Sequence, residues 1–560
     1  MSAPANTSND VDVLRKELTE RDALIAVLRS TIASFEQQIA ALQSTLVNYA
    51  NDVELYKRKL YGTKSERSGT SELQLTLGAL LDQQVVLQKQ LEALVAQQND
   101  ASPAQPAPAS DPASPPAAKP KATPKGRRDL SASTLPRVVV KIEDAKLALV
   151  GKLIGYDESY ELLFVRGGFK VLQKRLAKYE LPSPSGPTVL GVEAPRTLFP
   201  RTIMHSSLLA HIAVQKFALG VPHYRLEQHM EGQGLELDRS TMCRGLEELG
   251  NTLGATVVQA MFRDAIANAS VLSTDATGAA IQPGPRNNGP KQACKKGHFF
   301  TIVADCDHVL FAYTEKHTQE AVAKLFHGFH GFLQSDASSV YDILERGPPD
   351  ANVDELVLVG CWAHCRRYFF EAAICKYAIG VEGLTRIRAM YHEDNKLKKL
   401  PPVQRKAMRQ QFVAPLIDSF YEWARDAMRL APARTHAARA LGYALNQEQE
   451  LRRVLLDGRL PMDNTRSERA LRKIVVGRKN WMFYGSDTHA EAAAALFTIV
   501  ASCRLHKIDP EAYLDELVRV LPYWPRERFI ELAPKSWAAT RATLDADELA
   551  APVGVITVPG

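Results

Sequence analysis

The sequence is poor in the features that mark secreted, disulfide-stabilised and membrane proteins. Only seven cysteines occur in 560 residues, and none precedes Cys243, which excludes a disulfide scaffold. No uninterrupted apolar run reaches membrane-spanning length, so we expect no membrane partner. The first residues, MSAPANTSNDVD, lack the basic-then-apolar layout of a signal peptide. These absences predict a cytoplasmic protein.

The composition supports several packed domains and an anionic partner. Hydrophobic residues make up 45% of the chain, and its length exceeds that of a usual single domain. The formal net charge is +6 at neutral pH. A mildly basic balance is compatible with binding to nucleic acid, although the charge alone does not establish it.

The first hundred residues carry a long heptad pattern. Apolar side chains recur through residues 11–60 at alternating steps of three and four, interrupted only by Arg21, and a shorter seam runs from Leu73 to Leu94. Such a period buries one stripe against another helix, which predicts a coiled coil over residues 1–98 and a homo-oligomer. A long helix packed on the protein's own core is the alternative. Residues 99–135 are a Pro/Ala-rich linker with a basic end.

Two small regions follow the linker. Residues 136–200 read as a β-rich unit, because two β-favouring runs flank a hairpin signal at Gly167 and Gly168. Residues 201–262 are helical, with a helix, a glycine-containing turn and a helix capped near Asp238 or Ser240. A helix-turn-helix unit would bring Arg239 and Arg244 to DNA, whereas an ordinary helical hairpin would not.

The pattern becomes α/β from residue 263. Six features follow one another along the chain. They are a strand containing Asp275, two strands joined near Asp305 to Asp307, a helix at residues 319–329, a short run ending at Asp336, a strand in ELVLVGCWAHC and a helix from RRYFFEAA. This order is expected of a ribonuclease-H-like core. We therefore predict a multidomain, mainly α protein with such an α/β catalytic core at 263–380 and 460–510, a helical insertion at 381–459, and a C-terminal tail at 511–560.

One acid, Glu468, stands in a strongly basic stretch at residues 462–487. Asp463 and Asn464 are good N-cap residues, and the sequence is helix-favouring up to Ile474 and Val475. Glu468 is either a salt-bridge partner on a solvated face, with Arg472 or Arg466, or a metal ligand beside phosphate-binding cations. The candidate DNA contacts in this stretch are Arg469, Arg472, Lys473, Arg478 and Lys479.

Asp275, Asp336 and Glu468 each fall where a core strand or helix can present an acid at one edge. Three carboxylates meeting there can hold two Mg²⁺ ions, or Mn²⁺ instead, for in-line phosphodiester displacement. His364 and Arg366 follow a predicted strand end and are candidates to contact the scissile phosphate. Because CWAHC lacks a convincing fourth ligand, we expect no zinc there. Trp481 is a candidate for stacking on an unpaired base, with core packing as the alternative.

Several blocks together resemble the transposases of the insertion-sequence-66 family. They are RKLYGTKSER after the coiled coil, GCWAHCRRYF, ALGYALNQEQELRRVLLDGRLPMDN, DNTRSERALR, GRKNWMFYGSD and DPEAYLDELVRVLP with APKSW, in this order. The resemblance implies a DDE transposase that binds the inverted-repeat ends of its element and target double-stranded DNA, and that catalyses metal-dependent strand cleavage and strand transfer. It implies Asp275, Asp336 and Glu468 as metal-binding acids, and accessory proteins encoded by the same element.

The chain departs from the family pattern at three places. Ala276 follows Asp275 where the family usually has Glu, and Ala337 follows Asp336 where it usually has Gly. The family's cysteine-rich zinc module has no counterpart, so residues 136–182 are expected to fold without thiolate-bound zinc. Two alternatives remain. An inactive, transposase-derived DNA-binding protein would lack working metal ligands, whereas all three acids are present. A nuclease that cuts without joining strands would differ only in a strand-transfer assay.

Overall fold

The structure is a computed structural model that describes residues 130–165, 167–182, 188–284, 293–305, 307–346 and 356–560, with six helical residues between Lys16 and Ser30. The rest of the predicted coiled coil, and the predicted linker up to residue 129, lie outside the described residues; a 3₁₀ turn (Leu130–Ala132) falls at the end of the linker. Within the described part, no helix is long and apolar enough to cross a membrane.

The first described unit is a four-stranded sheet. Strands β2 and β3 form the antiparallel hairpin predicted at Gly167 and Gly168, whose φ angles of 108° and 152° suit glycine. Strand β1 pairs with β3 in parallel, and β4 pairs with β3 antiparallel. The elements are β1 (Arg137–Ile142), α1 (Ala145–Val150), β2 (Lys152–Val165), β3 (Gly168–Leu181) and β4 (Thr188–Gly191).

A helical region follows, as predicted. The N-cap of its third helix is Asp238, and Glu227 of the preceding helix accepts the Arg239 N–H at 3.0 Å. This bond fixes the turn between the two helices. The helices are α2 (Ser206–Phe217), α3 (His223–Gly232), α4 (Arg239–Leu253), a π-helical turn (Gly254–Val258) and α5 (Gln259–Asn268).

The second sheet has the order β7-β6-β5-β8-β9, with β5 at its centre. Strands β6 and β7 run antiparallel as a hairpin beside β5, whereas β8 and β9 run parallel to it. The predicted strand around Asp275 and the predicted hairpin are therefore confirmed. The elements are β5 (Val271–Ile281), β6 (Lys295–Ala304), β7 (His308–Thr314), α6 (Gln319–Leu325), β8 (Gly331–Gln334), α7 (Asp342–Arg346), β9 (Leu356–Val359) and α8 (Trp362–Ile374).

Two long helices return to this sheet from the C-terminal side of the sequence, α14 (Thr465–Trp481) and α15 (Asp487–Leu505). Helix α15 is buried along most of its length and seals the edge strand β7. The N–H of Phe311 donates to Thr498 Oγ1 at 2.9 Å, and the N–H of Val309 donates to Ser502 Oγ at 3.1 Å. The hydroxyls thus satisfy backbone donors that an open sheet edge would leave free.

The segment between α8 and α14 is helical, as predicted, and has its own core. Trp362 and Phe369 of α8 pack there against Phe420 and Tyr421, with ring centroids 5.5 to 6.2 Å apart. The helices are α9 (Ala378–Leu397), α10 (Pro402–Phe412), α11 (Ala414–Leu430), α12 (His436–Asn446), α13 (Glu448–Arg452) and a 3₁₀ turn (Arg453–Leu455). The chain ends with α16 (Pro510–Val520), 3₁₀ turns (Leu521–Tyr523 and Arg526–Leu532), α17 (Pro534–Ala542) and α18 (Ala546–Ala550).

Three sequence-based boundaries were wrong. The strand predicted through CWAHC ends at Val359, and the next helix begins at Trp362, because the apolar run of that block includes the buried face of α8. Helix α14 continues through the β-branched Ile474 to Trp481, because burial of Ile474 outweighs its helix propensity. Helix α6 ends at Leu325, and Gly328 adopts a φ of 79° in the turn that follows.

Candidate active site

The centre of the second sheet presents Asp275. This residue lies midway along β5, opposite Thr301 of β6, and its side chain is half-buried. The N–H of Ala276 donates to Asp275 Oδ1 at 2.7 Å. The carboxylate is thereby oriented by the backbone of its own strand.

Asp336 lies two residues after the neighbouring parallel strand β8. The end of that strand is fixed by Gln334, whose buried amide donates to the carbonyls of Gly360 at 3.3 Å and Pro461 at 2.9 Å. One side chain therefore ties together the end of β8, the end of β9 and the segment that leads into α14. Asp336 also lines a cleft of about 460 Å³ whose wall includes the acids Asp342 and Glu450.

Glu468 reaches the same edge from the first turn of α14. The N-cap Asn464 is fully buried, and its side-chain amide donates to the carbonyl of Thr274 at 2.5 Å, one residue before Asp275. The N–H of Asn464 donates to Cys361 Sγ at 3.2 Å. The Ser467 hydroxyl donates to the Asn464 carbonyl at 2.9 Å. The bond to Thr274 attaches the helix start directly to the strand that carries Asp275, and the bond to Cys361 attaches it to the segment between β9 and α8.

The three acids share one electrostatic environment. Burial raises the pKa of Asp275 to about 7, and the charges of Asp336 and Glu468 act in the same direction. The Ala276 N–H and the Arg367 charge oppose the shift without cancelling it. Asp336 and Glu468, which follow Asp275 by 61 and 193 positions in the sequence, are therefore close enough to it to perturb its ionisation.

The ionic contacts of Glu468 come from α8 rather than from the arginines on its own helix. His364 Nε2 lies 3.8 Å and Arg367 NH2 lies 3.9 Å from Glu468 Oε1. The sequence reasoning singled out His364 but missed Arg367. Both lie on α8, with Arg367 three residues after His364, so a helix starting at Trp362 would have placed them on one face. At these distances the contacts are loose, and Glu468 keeps access to solvent.

Arg366 faces a different neighbourhood. Burial and the Asp463 charge raise the pKa of Tyr391 in the helical insertion, and the Arg366 charge opposes that shift. Arg366 is therefore close enough to Tyr391 to affect its ionisation, whereas its neighbour Arg367 acts on Asp275 and lies 3.9 Å from Glu468.

The basic residues of α14 divide into two groups. Arg478 donates to Thr277 Oγ1 at 3.0 Å and to the carbonyl of Gly278, so it ties the end of α14 to β5. Lys473 donates to the Ala218 carbonyl at 3.2 Å. Arg469, Arg472 and Lys479 are exposed. Arg469, Arg472 and Lys479 can therefore contact a phosphate without breaking a hydrogen bond such as those that Arg478 and Lys473 make to the fold.

The helical region carries the other two predicted DNA contacts. Arg239 and Arg244 lie in the first two turns of α4, and both are exposed. The Arg239 guanidinium is 3.9 Å from the Glu227 carboxylate, and that of Arg244 is 3.5 Å from Thr241 Oγ1.

The donor chemistry at the sheet edge suits a hard divalent cation, since three carboxylates supply anionic oxygens. A cation between them would also offset the burial and the acidic neighbours that together raise the pKa of Asp275. Among the described residues no group of three or more His, Cys, Asp or Glu side chains is already drawn into metal-ligand geometry. The acids would therefore have to close around an ion on binding.

Comparisons with known proteins identify the family. The model of the transposase IS66 family matches residues 201–492, which include all three acids. The chain belongs to the transposase IS66 family. Two further models, described as transposase C of IS166 homeodomain and IS66 C-terminal element, match residues 49–140 and 498–534. Membership of a transposase family implies that the protein binds DNA.

The chain is also similar to uncharacterised proteins of Sinorhizobium fredii (strain NBRC 101917 / NGR234). It is 27% identical to y4hP over 522 residues, which cover 88% of both chains. It is 27% identical to y4qI over 394 residues, covering 68% of this chain and 71% of that protein. The similarity extends well beyond the acidic motifs.

Proposed function

We propose that this protein is a DDE transposase that binds the ends of an insertion sequence and catalyses metal-dependent DNA cleavage and strand transfer. The observation that supports the proposal is the connection between the elements that carry the three acids. The start of the Glu468 helix is hydrogen-bonded to Thr274 beside Asp275, and Asp336 follows the strand that pairs with the Asp275 strand. The sheet order, with an antiparallel hairpin on one side of β5 and two parallel strands on the other, supports a ribonuclease-H-like core. Family membership supports the substrate, DNA.

Asp275, Asp336 and Glu468 would hold the divalent ions, which we propose to be Mg²⁺. Bound there, such ions supply electrostatic stabilisation of the attacking and leaving oxygens of an in-line displacement. The chain provides one carboxylate on strand β5, one just after strand β8 and one on helix α14, and hydrogen bonds of Asn464 and Gln334 connect these elements. This bonding holds the backbone segments that carry the three acids in place independently of the ion.

The basic residues around the acids serve the DNA rather than the metal. His364 and Arg367 lie beside Glu468 and place positive or hydrogen-bonding groups where a phosphate would approach. The exposed Arg469, Arg472 and Lys479 continue that surface along α14. Contacts of this kind supply affinity that falls with salt concentration, without sequence specificity.

The test is a reaction of the full chain with a labelled duplex carrying one element end and an unlabelled target duplex. We expect Mg²⁺-dependent cleavage at the end, and joining of the cut end to the target. Cleavage without joined product would indicate a nuclease. Binding without either product, in Mg²⁺ and in Mn²⁺, would indicate an inactive DNA-binding relative and would overturn the proposal. EDTA is the control for metal dependence.

A further inference from the structure

A cleft of about 660 Å³ opens where the helical region meets the far end of α14. Its lining includes Trp481, the last residue of that helix, together with Lys216, His223 and Tyr224 of the helical region. Trp481 follows Glu468 by thirteen residues, which corresponds to about 20 Å along a helix axis. The cleft is therefore separate from the acids, yet it is attached to them by a single rigid element.

The indole of Trp481 is held across the end of α14. A Cβ at Gly477, one turn earlier, would come within 2.2 Å of the ring, so glycine makes room for it. Lys216 Nζ lies 5.2 Å from the ring centroid, in a cation–π contact. The cleft thus combines an aromatic surface with a positive charge.

Two polar groups of this cleft lack the partners that buried groups usually have. Within the described residues, Lys216 forms no ion pair with a carboxylate, and the buried His223 Nε2 has no hydrogen-bond partner. Burial lowers the pKa of Lys216 to about 8 and that of His223 to about 3. The cleft is also lined by Glu247, whose carboxylate lies 3.1 Å from His489 Nδ1 rather than beside Lys216. At neutral pH the cleft therefore holds an ammonium group without an ion-pair partner among the described residues and a neutral imidazole, which suit an anion and a hydrogen-bonding edge.

The backbone at the mouth of the cleft is strained. Met482 has φ 63° and ψ −44°, and the Phe483 N–H donates to the Trp481 carbonyl at 2.7 Å, which forms a γ-turn. The turn leaves Met482 70% exposed and Phe483 41% exposed. A left-handed non-glycine residue is unfavourable in isolation, and such strain concentrates at binding sites.

We propose that this cleft holds one unpaired nucleobase of the bound DNA strand together with its adjoining phosphate. The base would stack on Trp481 and Tyr224, and its edge would face His223. The phosphate would pair with Lys216 and with Arg239 at the rim. The proposal rests on the proposed action of this chain on DNA. The distance of about 20 Å from Glu468 places the base within about six nucleotides of the cleavage point along B-form DNA.

The experiment compares two fluorescent duplexes, one with a single extrahelical thymine and one fully paired, titrated with the full chain in EDTA. Stacking of one base on an aromatic side chain predicts that the bulged duplex binds about 5- to 150-fold more tightly.

Trp481→Ala should abolish this preference, and Trp481→Phe should keep most of it. Tyr224, which is 54% exposed, can be truncated with little risk to folding. Tyr224→Ala should reduce the preference, whereas Phe412→Ala, at an aromatic residue 45% exposed in the helical insertion, should not.

The outcomes separate this inference from the proposed function. Equal affinity of the wild-type chain for both duplexes would overturn the cleft proposal alone. A preference that survives both Trp481→Ala and Tyr224→Ala would also overturn it, because the unpaired base would then bind elsewhere. Failure of the chain to bind either duplex at low salt would instead contradict DNA binding, and with it the proposed function.

Discussion

Replacement of Asp275 by Asn should stabilise the metal-free protein at pH 8. The pKa of this carboxyl rises from an ordinary value of 3.8 to about 7 in the folded chain. Between those values the folded state holds a proton that the unfolded chain releases, so the wild type loses stability as pH rises from 4 to 7, and the loss persists above pH 7. At 1.36 kcal/mol per pKa unit, the ceiling on this loss is about 4 kcal/mol.

The Asn side chain carries no charge and escapes this loss. We therefore expect Asp275→Asn to match the wild type near pH 4 and to have the higher free energy of unfolding at pH 8 in EDTA. Added Mg²⁺ should raise the stability of the wild type at pH 8 but not that of the variant, because the ion needs the anionic oxygen.

The assay is thermal unfolding of both proteins across this pH range, with and without Mg²⁺. Asp426→Asn is the matched control, since that carboxylate is 75% exposed in the helical insertion and should show no such gain. If Asp275→Asn were no more stable than the wild type at pH 8, the Asp275 carboxylate would not be destabilised by its burial and its acidic neighbours, and the reasoning would be refuted.

Three further outcomes follow from the sequence and the fold. The heptads of residues 11–60 predict a dimer or higher oligomer, so light scattering should give a multiple of the chain mass, and deletion of residues 1–100 should lower the oligomeric state. Metal analysis of the purified full chain should find no stoichiometric zinc, because residues 136–182 contain no cysteine; bound zinc at that unit would disprove this. Asp394→Ala should destabilise the helical insertion by about 3–5 kcal/mol in denaturant titration, because it leaves the fully buried Arg409 guanidinium without its carboxylate. A loss of stability under about 1 kcal/mol would show that the Asp394–Arg409 pair is not buried in this way.

Local sequence pattern predicted the individual elements of the second sheet and its helices better than their boundaries. The strand around Asp275 and the β6–β7 hairpin were readable because their apolar runs are bounded by polar turns. The start of α8 was not, since the apolar CWAHC block satisfies a buried strand and the buried face of a helix equally well. Trp362 resolves this ambiguity only through tertiary contact, where its indole N–H donates to the Leu451 carbonyl at 3.0 Å.

In the candidate site, too, local features could be predicted from the sequence, whereas tertiary contacts could not. The acids could be proposed from their positions in the strand and helix order, but the bonds that bring them together could not. Asn464 was predicted as an N-cap, whereas its buried bond to Thr274 joins positions 190 residues apart. Arg367 was missed because its relation to Glu468 depends on the packing of α8 against α14. Long-range hydrogen bonds of this kind leave no periodicity in the sequence.

The most direct test of the central claim is cleavage of an element-end duplex in Mg²⁺ by Glu468→Gln, measured beside DNA binding at fixed salt. Glu491→Gln, at an exposed acid on α15, is the matched control. If Glu468 holds metal, the Gln variant should lose about a hundredfold or more in cleavage rate and keep its DNA affinity, because Arg and Lys supply that affinity. A folded Glu468→Gln protein that cuts at the wild-type rate would show that Glu468 is only a loose ionic partner of His364 and Arg367, and would contradict the account.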